Sequence, residues 1–155
     1  MKLAVLFRGP IRPNPERVLE NTQLTINELK EAGHEVTTFL ATWSTYQQLL
    51  DQSYFDHCMF LEEPTIDVVN SYVSRQTVLN GHGTVFNVWK MYTQSKHAID
   101  TIINTDSYDR IVHSRTDSRV IFGSCLDQWL DLSLTQYVRP RCDAAWWYND
   151  MLGVT

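Results

Sequence analysis

The beginning of the chain constrains the fold most, because it alternates between an apolar run, a helical pattern and a second apolar run. Residues 2–7 have the length and composition of a buried strand. Asn14, Pro15 and Glu16 together predict a helix start, with a capping side chain, a proline at the first position and an acid in the first turn. A second strand is expected over residues 35–42. This order is typical of a right-handed crossover unit with a parallel sheet.

The helix between these strands shows a regular apolar spacing and a clear end. Gly33 favours a C-terminal stop. One face is predicted to be buried, since the following residues recur at helical spacing: Val18, Thr22, Ile26 and Leu29.

The remaining elements are predicted from the same kinds of pattern, and these patterns become weaker toward the end of the chain. The patterns predict a short helix from Ser44, a third strand over 57–61, a short helix over 67–74 and a fourth strand around Ile111 and Val112. Before that strand a long helix starts near Thr84, with a buried face expected to consist of Val85, Val88, Tyr92, Ser95, Ile99 and Ile102. Weaker patterns favour a strand over 119–122, a helix over 126–132 and extended chain over 136–139. We therefore expect an α/β fold with a mixed, mainly parallel central sheet flanked by helices.

Length and composition limit the class of protein. With 155 residues, 43% of them hydrophobic, the chain suits one domain over 1–155, of minimal or C-terminally shortened form. A net charge of −5 argues against a general nucleic-acid binder. The apolar runs are too short for a transmembrane segment. The odd set Cys58, Cys125 and Cys142 lacks disulfide or zinc spacing, which favours a cytoplasmic location, the host cytoplasm if the source is viral.

The loop after the first strand carries Arg8, Gly9 and Arg12. In an open parallel sheet, ligands bind at the carboxyl ends of the strands. Two guanidiniums there offer planar donors to a diphosphate, and Gly9 lets a ligand approach the backbone. The loop matches neither the dinucleotide fingerprint nor the P-loop. The alternative is that both arginines are solvated surface residues.

The fourth strand ends in Arg115 and, two residues later, Asp117. An arginine there suits phosphate oxygens, and an aspartate suits a divalent metal or a ribose hydroxyl. A single carboxylate holds Mg²⁺ or Mn²⁺ only when substrate phosphates supply further ligands. The alternative is a surface ion pair of little energetic value.

Several other side chains are candidates for the same site. Asp150 follows an aromatic run, where a raised pKa would suit a catalytic base, although an exposed loop aspartate is equally compatible. Trp43 follows the second strand and is able to pack on a base. His113 is interpreted as structural, together with His57 and His97.

Five segments together resemble small GT-A-type nucleotide-sugar glycosyltransferases of bacterial surface-polysaccharide clusters and large viruses. These segments are Leu6 to Arg12, Thr38 to Trp43, Asn87 to Tyr92, Tyr108 to Asp117 and Asn149 to Gly153.

The resemblance implies a Rossmann-like nucleotide-binding half and transfer of a sugar from a UDP- or GDP-type donor to a glycan or other hydroxyl acceptor. It implies nucleotide contacts by Arg8 and Arg12. It also implies metal and diphosphate binding (Mn²⁺ or Mg²⁺) at Asp117, and an acceptor-side role for Asp150. Arg115 stands where the family motif usually has its first aspartate, so an arginine would neutralise the diphosphate there.

Two rival functions stay open. The first is a non-catalytic nucleotide-sugar-binding or assembly module with a degenerate transferase fold. A homo-oligomeric state is compatible with the glycosyltransferase as well. The second is another phosphate-handling α/β enzyme, such as a nucleotidyl- or sulfo-group transferase.

Overall fold

A computed structural model describes residues 1–11, 14–68, 78–79, 83–118, 130 and 152–154. The strands are β1 (Lys2–Arg8), β2 (Glu35–Trp43), β3 (His57–Leu61), β4 (Val78–Leu79), β5 (Gly83–Thr84), β6 (Arg110–Arg115) and β7 (Leu152–Val154). The long helices are α1 (Pro15–Glu31) and α2 (Val85–Thr105), and two short 3₁₀ helices span Ser44–Leu49 and Gln52–Tyr54. Among the described residues, no helix combines the length and the apolar character that crossing a bilayer requires.

The main sheet has the strand order β3-β2-β1-β6-β7, and β4 and β5 form a separate antiparallel pair. β1, β2, β3 and β6 run parallel, whereas β7 pairs antiparallel with β6. The expected mixed, mainly parallel sheet flanked by helices is therefore confirmed, and β1 lies at its centre.

Side chains alternate between the two faces of the sheet, as the period of a strand requires. On one face Leu3, Val5 and Phe7 of β1 join a core cluster with Val18, Ile26 and Leu29 of α1. On the opposite face Ala4 and Leu6 join a cluster with Ala98 and Ile102 of α2. The two helices thus cover opposite faces, and each face has its own apolar core.

Helix α1 confirms the features predicted for it. The side chain of Asn14 accepts a hydrogen bond of 2.8 Å from the backbone N–H of Glu16, and Pro15 is the first helical residue. The predicted face is buried. Gly33 follows the helix with φ of 85°, in the left-handed region that favours glycine.

Helix α2 is present, and its predicted buried face is right at Ile102 but wrong at Val88 and Tyr92. Tyr92 is 63% exposed and Val88 is 46% exposed, whereas Gln94, Ala98 and Ile102 are buried. Ala98 packs in the cluster that contains Ala4 and Leu6, so the buried face of α2 is not the face with the largest apolar side chains.

Other predictions are confirmed, refined or left outside the described residues. The third strand has the predicted bounds, and the short helix at Ser44 is a 3₁₀ helix. The predictions over 119–122 and 136–139 lie outside the described part, as do nearly all of the residues in 67–74 and 126–132.

Candidate functional site

The site begins with two arginines that end neighbouring parallel strands. Arg8 is the last residue of β1 and Arg115 the last residue of β6, and the two are direct partners in the register. Partners in a parallel pair project toward the same face of the sheet. Leu6, two residues before Arg8, packs in the cluster beneath α2, so the arginines lie on the α2 face at the carboxyl edge.

Arg115 is held by Asp117 in a two-point ion pair. Its Nε donates to Oδ1 at 2.7 Å, and its Nη2 donates to Oδ2 at 2.6 Å. The two side chains are only 21% and 18% exposed. This bidentate, largely buried geometry is stronger than the solvated surface pair that the sequence left open, and it fixes the plane of the guanidinium.

Hydrogen bonds tie the loop after β1 to the segments beside it. Thr42 of β2 donates from its hydroxyl to the carbonyl of Gly9 at 2.8 Å. Thr116 donates from its backbone N–H to the carbonyl of Arg8 at 3.1 Å, and from its hydroxyl to the carbonyl of Pro10 at 2.7 Å. The backbone from Arg8 to Pro10 is therefore held from either side by a buried threonine.

Gly9 has an internal reason to be glycine. Its φ is 125°, which side chains rarely tolerate, and a Cβ there would lie 3.2 Å from Oγ1 of Thr116. Gly9 is itself buried, so the space beside its Cα is filled by Thr116. The structure therefore gives this glycine a packing role, and its expected contact with a ligand stays a prediction.

His113 lies on the same face as the arginines, one inward position before Arg115 on β6. Its pKa falls from 6.5 to about 4, mainly because burial disfavours the charged form and also because the positive charge of Arg8 lies nearby. Within the described residues, its buried Nε2 has no hydrogen-bond partner. The sequence interpreted His113 as structural, and the structure places this histidine beside Arg8 at the candidate site.

Both long helices begin at this edge of the sheet. α1 follows directly after the loop that carries Gly9, and Lys90, near the start of α2, pairs with Glu63 just beyond the end of β3 at 2.7 Å. Helix N-termini carry partial positive charge, so their placement adds to the arginines in favouring an anion.

Trp43 lies at the end of β2, on the same edge. It is only 5% exposed, so most of its indole surface is covered by protein. The structure brings Trp43, Arg8, Gly9, Arg115 and Asp117 to one edge, as predicted. Arg12 and Asp150 lie outside the described residues.

The described residues do not build a metal site by themselves. Within those ranges no three His, Cys, Asp or Glu side chains cluster closely enough to hold an ion. Both oxygens of Asp117 already accept hydrogen bonds from Arg115. A divalent cation at this carboxylate would have to compete with that ion pair, so the described donor set does not fit the metal that the resemblance implies.

Two polar features of the edge were missed by the sequence patterns. A shallow depression beyond the end of β2 is lined by Ser44, Thr45, Gln47, Gln48, Leu50 and Gln52. The run of amides and hydroxyls after an apolar strand was a usable signal for it. Gln94 of α2 is 2% exposed, and within the described part of the chain its Nε2 has no hydrogen-bond partner. Apolar periodicity gives no signal for such a residue.

Comparisons of the chain with protein-family models, with curated proteins and with solved structures find no match. The functional assignment therefore rests on the chemistry of the carboxyl edge.

Proposed function

We propose that the chain is a glycosyltransferase that moves a sugar from a nucleotide-sugar donor to an acceptor hydroxyl. The observation that supports this proposal most is the pairing of Arg8 with Arg115 on adjacent parallel strands, at the edge where α/β sheets bind ligands. A leaving group with two phosphates is the natural counterpart of two adjacent guanidiniums.

In this proposal the arginines bind the diphosphate and stabilise the charge that develops on it as the bond to the sugar breaks. Asp117 orients Arg115 through the two-point ion pair, which is a positioning role. Arg12 would add a third guanidinium and Asp150 would accept the proton of the acceptor hydroxyl. These two roles come from the sequence resemblance. No step is assigned to a metal, because the described donor set does not favour one.

One observation favours a second candidate, a non-catalytic module that binds nucleotide sugars. The carboxylate of the described site, Asp117, is bonded on both oxygens to Arg115, which makes it a poor base. Both candidates predict donor binding, and they differ in turnover. Release of free nucleoside diphosphate from a donor incubated with an acceptor panel would exclude the binding module.

The direct experiment is titration calorimetry with a panel of UDP- and GDP-sugars, each with and without Mn²⁺. We expect at least one donor to bind, and binding to survive in the presence of a chelator. Absence of binding by every nucleotide and nucleotide sugar would overturn the proposal.

Variants of one strand sharpen this experiment. Arg115→Gln should weaken diphosphate binding by about tenfold or more, since a hydrogen bond to a charged group contributes about 1.5–3 kcal/mol. Arg110→Gln is the matched control, because Arg110 lies at the opposite end of β6. Equal losses in the two variants would argue against a diphosphate site at the carboxyl edge.

Asp117→Asn separates positioning from metal binding. Removing this negative charge beside Arg115 should leave metal-free UDP binding intact or tighter. If Asp117 instead holds an essential cation, the wild-type protein should bind UDP only in the presence of Mn²⁺. The variant should then lose this Mn²⁺-dependent binding.

A further inference from the structure

The layer between α2 and the sheet contains a buried amide that the proposed diphosphate site does not use. Gln94 is 2% exposed, and among the described residues its Nε2 has no hydrogen-bond partner. A buried donor without a partner costs free energy, and native structures leave few of them. Such a group points to a ligand when it lies next to a binding edge.

Topology places Gln94 at the level of that edge. α2 starts near the carboxyl ends of the strands, where Lys90 pairs with Glu63. It ends near the amino ends, where Asp106, the residue after the helix, pairs with Lys2 at the start of β1. Ala98 and Ile102 pack in the cluster that contains Ala4 and Leu6 of β1.

The rise per residue of a helix and of a strand allows the positions of α2 to be compared with those of β1 as far as Arg8. One helical turn and two strand residues both advance the chain by about 6 Å. If Ile102 and Ala98 match Ala4 and Leu6, the next position on the buried face of α2, Gln94, matches Arg8. On this alignment, we infer that the amide donor and the guanidinium lie at the same level of one layer.

The chemistry of this layer favours a neutral ligand group. His113, which projects into it beside Arg8, is held neutral mainly because burial disfavours its charged form, so its pKa falls to about 4. The diphosphate charge belongs at the rim, with Arg8 and Arg115. The part of a nucleotide sugar that is neutral, rich in acceptor oxygens and attached directly to the diphosphate is the sugar.

We propose that Gln94 is a specificity-determining residue that donates a hydrogen bond from Nε2 to a hydroxyl oxygen of the donor sugar. This inference rests on the proposed function and assigns the sugar subsite to the layer under the start of α2. Glutamine has three rotatable side-chain bonds. Within the described residues, turning Nε2 toward the edge breaks no hydrogen bond of that atom.

The test compares a donor sugar with its own nucleotide. Gln94→Met keeps the length of the side chain and removes the donor. Titration calorimetry would use the tightest binder from the panel of UDP- and GDP-sugars, together with the corresponding UDP or GDP. We expect Kd for the nucleotide sugar to rise about fivefold, as for one neutral hydrogen bond, and Kd for the nucleotide alone to stay unchanged.

A matched variant and a stability measurement complete the design. Gln23→Met, on α1 at the opposite face, should change neither affinity, since Gln23 donates to Asn27 on its own helix. The melting temperature of the free Gln94→Met protein should not be lower than that of the wild type, because a methionine leaves no donor unpaired.

The outcomes separate the two proposals. Unchanged affinity for the nucleotide sugar, or an equal loss for sugar-bearing and sugar-free nucleotide, would overturn the role of Gln94 and leave the diphosphate site intact. A lowered melting temperature of the free variant would also overturn it, by showing that the amide serves an internal partner. Failure of the wild-type protein to bind any panel member would overturn the proposed function and this inference with it.

Discussion

At the scale of single residues, the ion pair of Arg115 with Asp117 decides how the carboxyl edge presents its charge. The pair contains one guanidinium and one carboxylate, so its net charge is close to zero. Arg8 places a second guanidinium beside it. The spacing of Arg115 and Asp117 was sufficient to predict that both lie at the end of a strand, at the carboxyl edge of the sheet. It did not predict that they bind each other, because a gap of two residues fits a ligand-binding pair and an ion pair equally well.

His113 gives a pH-dependent stability that can be measured directly. Its pKa of about 4 in the folded protein lies below the ordinary 6.5. Between these two pH values His113 is therefore mostly protonated in the unfolded chain and mostly neutral in the folded protein. Stability should therefore fall as pH drops from 6.5 toward 4. We expect urea denaturation between about pH 7 and pH 4.5 to show a loss on the order of 2 kcal/mol greater in the wild type than in His113→Gln.

The carboxylates of the chain are common to both proteins and cancel in that comparison. Identical acid sensitivity of the wild type and His113→Gln would contradict a neutral, buried histidine beside Arg8.

Gly9 and Gly33 form a natural pair for testing the packing role of the first. Both have positive φ, but only Gly9 faces a close neighbour, Oγ1 of Thr116, whereas nothing lies within 4 Å of the Cβ position at Gly33. Gly33→Ala should cost about 1 kcal/mol from backbone strain alone. Gly9→Ala should cost about 2 kcal/mol or more, since strain and crowding add. Urea denaturation measures both losses in the free energy of unfolding. Equal losses would show that the side chain of Thr116 moves aside at no cost in stability.

At the scale of elements, the two helices show what an amphipathic pattern predicts and where it fails. α1 has a capping Asn14, a proline at its first position and a stop at Gly33, and its buried face was predicted correctly. α2 has apolar residues on several sides, so more than one phase fits the period of 3.6. The structure buries Gln94, Ala98 and Ile102, and an apolar helix pattern alone does not select a face that includes a glutamine.

The buried face of α2 in the structure makes a stability prediction. Ile102 is fully buried between α2 and the sheet, and Tyr92 is 63% exposed. Ile102→Ala should therefore lower the free energy of unfolding by about 2–5 kcal/mol. Tyr92→Lys should change it by no more than about 0.5 kcal/mol. A large cost at Tyr92 in thermal or urea melts would contradict the assigned face.

At the scale of the whole molecule, the order of strands brings together residues that are more than a hundred positions apart. β6 enters the sheet beside β1, and this pairing places Arg115 next to Arg8. The sequence predicted a mainly parallel sheet and the strand ends that lie at its carboxyl edge, where the candidate residues of the described part meet. It did not contain the register, which depends on the packing of both faces at once.

Diphosphate binding should stabilise the whole fold, because the site joins the ends of two central strands. A ligand present at about 100 times its Kd adds about 2.7 kcal/mol to the free energy of unfolding. For a chain of this length that corresponds to a rise in melting temperature of roughly 5–10 °C. We expect this rise with UDP or GDP and not with the corresponding nucleoside, which lacks phosphates. An equal rise with the nucleoside would argue that the base, and not the diphosphate, makes the main contact.

The hydrogen bonds of Thr42 and Thr116 to the loop after β1 also have a kinetic consequence. A rim already joined across three neighbouring segments needs no closure when a ligand arrives and no reopening when it leaves. Stopped-flow rates of nucleotide binding should then increase linearly with concentration and show no plateau. Differences in affinity among ligands would appear as differences in residence time, since all of them would meet the same preformed rim.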